Sequence, residues 1–415
     1  MKQLRPITAY YIIQSVYGTL LMALLLVNAI YRVDVVGLNP FQLLMAVAVY
    51  RLVVFLAEIP TGVVADAYSR KTSTLIGYVL IGIGFLIEGA IPQFWAVLVG
   101  MSIAAVGDTF ISGALWAWIA GEVEDAEVQD VMIRGDQIGR LVGTLGTIAA
   151  MFTGSINLAW VYWFGGAGLI IFAIAMLWLM PETNFKPAAA EERETWGKLV
   201  QTLGAGFNYV RASRFLIIVF VIELCYGFVD PGVTQRGGLS EAHLLEDFVW
   251  PTLVDWEPVV WLGLISIANG LLHLGVMEWV KRRFNGASAE RVARGMRLFT
   301  IGFILAIVWF AFATSFEMGV LAFMFSKQVA RANFSLYDPW LTRQIVPEVR
   351  ATVLSMWAQT NAIGQVIGGP IIGAIAVATT LPIGYATLAL FLLPVPIMLT
   401  VILRNGDAPN IPAAS

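Results

Sequence analysis

Apolar runs of about twenty residues recur along this sequence from one end to the other, and that spacing restricts what the chain can become. At about 1.5 Å per residue such a run crosses a hydrocarbon layer roughly 30 Å thick. Residues 8 to 30, 41 to 64, 73 to 91, 94 to 119, 131 to 154, 158 to 180, 212 to 231, 258 to 280, 297 to 315, 317 to 337, 350 to 377 and 381 to 404 each qualify. Of the 415 residues, 59% are hydrophobic and 13% charged, against about 25% charged in an ordinary soluble domain. Water is therefore not the main solvent, and an all-α membrane protein with twelve transmembrane helices is expected.

Lys2 and Arg5 precede the first run as they would in a signal peptide. The run is too long for a signal h-region and no small-residue cleavage site follows it, so it reads as a retained helix. Cys225 is the only cysteine, which leaves no intramolecular disulfide or cysteine-based metal site and suggests packing. Most Lys and Arg residues fall on alternate connections, among them Arg70, Lys71, Lys186, Lys198, Lys281, Arg282, Arg283 and Arg350. The positive-inside rule then puts both termini in the cytoplasm and the chain in the cell (inner) membrane.

The longest cytoplasmic connection divides the runs six and six. The expected organisation is a six-helix bundle over 1–184, a linker over 185–211, a second bundle over 212–404 and a tail over 405–415. Trp196, Leu199, Leu203 and Phe207 fall at helical spacing in the linker, which suits either a surface helix or a solvated connection. Acids, Trp250 and Trp256 in the 232–257 connection suggest an ordered cap on the outer face. IGRLVGTLG at 138–146 is echoed by IGQVIGGPIIG at 363–373. Both repeat small residues at a spacing that lets helix backbones approach closely, at equivalent places in the two halves, as in transporters built from parallel repeats.

The stretch EIPTGVVADAYSRKTS at 58–73 sets Glu58 in an apolar run and gathers Gly62, Asp66, Ser69, Arg70 and Lys71 around the turn after it. A glycine, then an aspartate, then a basic pair resembles the signature loop of the major facilitator superfamily. The Gly-Gly-Pro run at 368–370, PET at 181–183, GDTFISGALWAWIAGEV in the fourth run and VRATVLSMWAQTNAIGQVIGGP at the eleventh resemble its bacterial drug-efflux-like, drug:proton antiporter-like members. The resemblance covers essentially the whole chain. It implies two pseudo-symmetric six-helix bundles. It also implies a cytoplasmic gate latch in which Asp66 meets the end of the eleventh helix and Arg70 meets Glu122 or Glu124. Lys71, Gly62, Glu58 and Arg140 belong to the same region, and a plain turn that only anchors helix ends is the alternative. Many exporters of this superfamily carry an arginine in the fourth helix where this chain holds Asp108, so proton-relay roles of that arginine do not carry over.

Arg51, Asp108, Glu223, Asp230, Lys327 and Arg331 lie inside predicted spans. At about 2.5–3.5 kcal/mol each, six unpaired charges would outweigh a typical folding stability, so they must be paired, hydrated or neutral. Depth along the helices sets Arg51 level with Asp108, as its structural partner. Glu223 and Asp230 share a face of the seventh helix, and Lys327 and Arg331 share one of the tenth. In the superfamily the first, fourth, seventh and tenth helices line the central cavity, which suggests Glu223 with Arg331 and Asp230 with Lys327. Permanent structural pairs are the alternative. Glu88, near the outer end of the third run, is expected to be hydrated.

Tyr10, Gln14 and Tyr17 on the first helix, with Ser112 and Trp116 beside Asp108 on the fourth, would give an aromatic wall with a carboxylate, suited to flat or cationic ligands; interface anchoring and packing are the competing uses of such residues. No GxxxxGK[ST] loop occurs, and His243 and His273 lack metal-ligand spacing, with His273 read as a packing residue. No cofactor, metal or nucleic acid is expected. The sequence therefore reads as a monomeric secondary transporter and not an enzyme, with Asp108, Glu223 and Asp230 as proton-coupling candidates and Lys327 and Arg331 in the substrate cavity. Proton-coupled export of a hydrophobic or amphipathic small molecule is the leading reading. Import of a nutrient or organic anion, or a sensor or scaffold that binds without turnover, are the rivals.

Overall fold

A backbone in hydrocarbon has no water to bond, so an apolar run that crosses it must close its hydrogen bonds internally as a helix. The computed structural model describes residues 3–187, 197, 207, 209–211, 213–233, 238–251 and 256–405, with no strand among them. The first six spans are α1 (Pro6–Ile30), α2 (Pro40–Ala67), α3 (Arg70–Ala90), α4 (Phe94–Glu122), α5 (Asp125–Ile156) and α6 (Leu158–Leu179). The second six are α7 (Arg214–Val233), α8 (Pro258–Phe284), α9 (Ala289–Ala311), α10 (Phe316–Gln344), α11 (Pro347–Ala378) and α12, the last in two pieces, Leu381–Leu392 and Pro394–Asn405. The chain is an all-α multi-pass membrane protein with the twelve-helix plan expected of it.

Helix starts follow from side chains that satisfy orphan backbone N–H groups. Ser69 accepts from the Thr72 amide at 2.9 Å to open α3, and Asn157 accepts from Ala159 at 2.8 Å to open α6. Ser288, Ser315 and Thr380 do the same for α9, α10 and α12. Pro6 and Pro347 stand in the first turns of α1 and α11, where the missing N–H costs nothing. The interruption of α12 falls at Leu393, just before Pro394, whose ring cannot continue the ladder.

By length and apolarity ten of the described helices suffice to cross a membrane, and α5 and α10 fall short. The reason is visible in their residues. α10 carries Lys327, Arg331 and Asp338, and α5 is rich in glycine and charged over its first turns. Charged helices of this kind are tolerated in bilayers when they face protein.

The described residues group into two units. One draws on Met1–Gly37, Val49–Lys198 and Trp256–Gly263, the other on Leu38–Ala48, Leu199–Asp255 and Leu264–Ser415. Each unit thus includes one segment from the other half of the chain, unlike simple halves at 1–184 and 212–404. In the first unit α1 packs on α5 and α6, and α3 packs on α4 and α6. In the second α7 packs on α11 and α12, and α9 packs on α10 and α12, the same scheme six helices later.

Glycines make the α1–α5 and α7–α11 seams possible. A Cβ at Gly139 would lie 2.9 Å from the Gln14 carbonyl oxygen, and one at Gly364 would lie 2.8 Å from both the Gly227 Cα and the Leu224 oxygen. The two glycine-rich stretches echoed in the sequence therefore do the same job in each unit.

The amphipathic linker stretch falls almost wholly outside the described residues, as does the tail beyond Asn405. The 232–257 connection is partly described and contains an eight-residue helix, Leu239–Glu246. That helix is no surface element: Leu239, Ser240, Ala242, His243 and Leu244 are buried inside the second unit, while Val249 and Trp256 are exposed.

Candidate functional site

In the first unit α4 is drawn tightly onto α3, because Gly100 and Gly107 lie against Gly84 and Gly77. That anchorage fixes the opposite side of α4, where Asp108, Ser112 and Trp116 recur every four residues and Ser112 and Trp116 are exposed. Asp108 lies near the Tyr50 hydroxyl and the Arg51 guanidinium, both on α2. The guanidinium also lies 5.8 Å from the centre of the Tyr50 ring. Arg51, expected as the structural partner of Asp108, makes no ion pair with it within 4 Å and leaves its buried Nε without a hydrogen bond, and Tyr50 is a neighbour that sequence reasoning did not name.

The aromatic wall of α1 divides. Tyr17 packs against Tyr78 in a tilted pair with ring centres 5.1 Å apart and contributes to the surroundings of Asp108. Tyr10, expected in the cavity, is instead buried, with its ring against Gly135 of α5 and its hydroxyl accepting from Gln14 Nε2 at 3.0 Å. The small residue facing it admits the ring, which makes Tyr10 a packing residue of the α1–α5 seam.

Carboxylates and cations at the α2–α3 turn pair differently from the latch expected by resemblance. Arg70 Nη1 donates to the Ala117 carbonyl at 2.9 Å, close to the end of α4, and its guanidinium lies 5.9 Å from the Phe185 ring centre. Glu122 accepts from the Thr183 amide at 2.7 Å, the Thr183 hydroxyl at 2.6 Å and the Asn184 amide at 3.0 Å. Glu182 accepts from the Ser69 hydroxyl at 2.6 Å and the Lys71 amide at 2.9 Å. Lys71 Nζ reaches the Leu177 and Met180 carbonyls at 2.8 and 2.7 Å, and Trp118 Nε1 donates to the Pro181 carbonyl at 2.7 Å. Unpaired amides and carbonyls at helix ends outcompete the Arg70–Glu122 pair. The signature loop and the PET segment form one clamp within the first unit.

The remaining latch residues lie apart from that clamp. Glu124 is exposed at the start of α5, and Arg140 pairs locally with Asp136 at 2.9 Å on an exposed face. Gly62 and Glu58 are exposed on α2, and Asp66 is partly exposed in its last turns.

Glu88 overturns the hydrated expectation. Arg32, in the π-helical turn Tyr31–Val35 that continues α1, binds it through Nε at 2.6 Å and Nη2 at 3.0 Å, with the two side chains 2% and 1% exposed. The Tyr162 hydroxyl contacts Asn28 Oδ1 at 2.6 Å and Glu88 Oε1 at 3.1 Å, and the Tyr31 hydroxyl donates to the Glu88 carbonyl at 3.0 Å. Both carboxylate oxygens of Glu88 and two guanidinium nitrogens of Arg32 are thereby partnered, as burial demands.

In the second unit, the close approach of Gly227 and Gly364 sets Asn361 of α11 against Glu223 of α7. Asn361 Nδ2 donates to Glu223 Oε1 at 2.5 Å, and Gln365 Nε2 donates to Asn361 Oδ1 at 2.5 Å. The other oxygen, Oε2, lies beside the Trp357 indole N–H without a full hydrogen bond. Glu223 is 2% exposed and meets this amide chain rather than Arg331, because the glycine seam brings α11 nearer than α10. Next to it the Tyr226 hydroxyl accepts from Asn333 Nδ2 at 2.6 Å and shares a 2.7 Å hydrogen bond with the Thr300 hydroxyl. Asp230 follows two turns further along α7.

Lys327 is buried and donates to Glu241 Oε1 at 3.0 Å, with its ammonium 5.0 Å from the Phe323 ring centre. Its acid comes from the buried helix Leu239–Glu246, a source that no depth argument over the twelve spans contains. Arg331, half-buried, follows one turn later on α10. His243, in the same short helix, contacts Asp247 Oδ2 at 2.7 Å and the Phe310 carbonyl at 3.1 Å. His273 approaches Gln328 Oε1 at 3.2 Å, so it is a hydrogen-bonded packing residue. Among the described residues no group of three or more His, Cys, Asp or Glu side chains could hold a metal ion.

Asp108 in the first unit and Glu223 in the second are membrane-embedded carboxyl groups outside any ion pair within 4 Å among the described residues, with different company. A group of this kind changes protonation when its surroundings change, which is the chemistry a coupled carrier needs.

Comparison with known proteins agrees with this architecture. The family model described as Major Facilitator Superfamily matches residues 10–275. The enterobactin exporter EntS of Escherichia coli O81 (strain ED1a) is 22% identical over 352 residues, which cover 82% of this chain and 78% of that protein. The EntS of Escherichia coli O1:K1 / APEC is 23% identical over 354 residues, with the same coverage. Among solved structures, the nucleoside transporter NupG has a TM-score of 0.72 at 15% identity, covering 97% of this chain and 100% of that one. A POT family transporter in complex with a thioalcohol conjugated peptide has a TM-score of 0.73 at 12% identity, covering 97% of each chain. The structural likenesses describe the fold.

Proposed function

Since this chain belongs to the major facilitator superfamily and is a secondary transporter, we propose that it exports a hydrophobic or amphipathic small molecule in exchange for protons. Glu223 and Asp108 are the proposed proton carriers. The observation that supports this reading is the surroundings of Glu223: a buried carboxyl on a membrane helix, held by Asn361 and faced by Trp357, with no cation paired to it among the described residues. A fixed ion pair would hold one charge state, whereas neutral amide and indole partners accommodate either.

Asp108 is the second proposed carrier, with Arg51 and Tyr50 of α2 beside it. The exposed Ser112 and Trp116 one and two turns away supply polar and aromatic contact for a substrate. Export as the direction draws support from relatives named as exporters over most of the chain. Import of an anion, which would use Lys327 and Arg331, is less well supported, because the first of these cations is already paired with Glu241.

Proteoliposomes loaded with lipophilic dyes and cations test the reading. Flux driven by an imposed pH gradient is expected in the wild type. Glu223→Gln is expected to remove the dependence on the gradient while leaving substrate binding within about threefold, and Asp108→Asn to weaken both. Flux indifferent to pH in the wild type, or unchanged coupling in both variants, would sink the proposal.

A further inference from the structure

One end of the second unit holds two exposed cations outside any ion pair among the described residues. There α8 ends in Lys281, Arg282 and Arg283, the chain turns at Gly286 (φ 66°), and α9 begins beside the last turns of α10. Between them lies a cleft of about 550 Å³. Its walls include Leu274, Met277, Phe284, Leu336 and Trp340. Trp340 spends its indole N–H on the Ala289 carbonyl at 3.2 Å, so its ring serves the cleft as apolar surface.

Lys281 and Arg343 line the same cleft, are exposed, and make no ion pair within 4 Å among the described residues. The acid that lines it, Glu278, is bound by Arg282 at 2.6 Å. The charges stand where membrane helices end, while Leu274 lies seven residues back along α8, about 10 Å further into the bilayer. Cations at the rim with aliphatic and aromatic walls beneath match a molecule with an anionic head and a hydrocarbon tail. A soluble anion would make no use of those walls.

We infer that this cleft binds an anionic phospholipid, whose phosphate lies between Lys281 and Arg343 and whose acyl chain runs along Leu274, Met277 and Leu336. Basic recesses between membrane helices at the level of the headgroups select negative lipids by this physics. Neither Glu223 nor Asp108 lines the cleft, so the inference is independent of the proton-coupling proposal.

Full-length protein in nonionic detergent, titrated with phosphatidylglycerol or phosphatidylcholine, tests it by native mass spectrometry and thermal unfolding. Phosphatidylglycerol is expected to bind at least about tenfold more tightly than phosphatidylcholine. Lys281→Gln with Arg343→Gln should abolish that preference, and each single change should remove part of it. Arg283→Gln with Arg291→Gln, which alters charge equally outside the cleft, should leave it intact. Lys281→Arg with Arg343→Lys should restore it. The inference is overturned by equal affinity for both lipids, by a preference that survives in the single and double glutamine variants, or by inorganic phosphate displacing the lipid at comparable concentration. Should the double variant fail to fold, the single variants decide between these outcomes.

Discussion

Arg32 and Glu88 show why burial rather than depth decides what a charge does. Neither was legible as a partner, because each ends an apolar run where water would be expected, and only the π turn after α1 carries Arg32 back into the protein. Arg32→Met should cost about 3–5 kcal/mol of stability by stranding Glu88, whereas Arg32→Met with Glu88→Leu should recover most of it. Unfolding in detergent, followed by circular dichroism, measures both, and equal losses in the single and double variants would contradict the account. Asp108, Glu223 and Lys327 could be picked out as charges in apolar runs, but their partners could not. Asn361 lies 138 residues from Glu223, and Glu241 lies 86 residues from Lys327. Arg70 misled for another reason: free amides after α6 bind Glu122 more readily than a guanidinium does.

Helices were legible because their length is set by the bilayer, and their contacts were partly legible through glycine spacing. Only packing could reveal the helix Leu239–Glu246, since eight residues leave no periodic signature and its burial depends on α7, α10 and α12. The seams carry their own expectation. Gly139→Leu and Gly364→Leu should each destabilise by about 1–3 kcal/mol or more, because a backbone oxygen in the facing helix has no room to yield. Gly270→Ala and Gly275→Ala, which face open space, should stay within about 0.5 kcal/mol of the wild type. Thermal unfolding of the purified variants separates the two groups, and uniform behaviour would remove the special role of the seams.

At the scale of the molecule, one crossing separates Val249, which is 87% exposed, from Arg282 at the far end of α8. In a Cys225→Ala background, cysteines at these two positions should react with an impermeant maleimide from opposite faces of the membrane. With both termini inside, the residue at 282 reacts only in inverted vesicles. Reaction of both from one face would break the twelve-span topology.

The same pairing of helices occurs in both units, yet the acid at the heart of each keeps different company, a guanidinium and a phenol in one and a chain of amides in the other. The repeated scaffold therefore does not repeat its acids: Asp108 stands on α4 and Glu223 on α7, helices that are not six apart. Selection for a new cargo therefore has two dissimilar starting points within one molecule, and a substitution harmless in one half is no guide to its counterpart in the other.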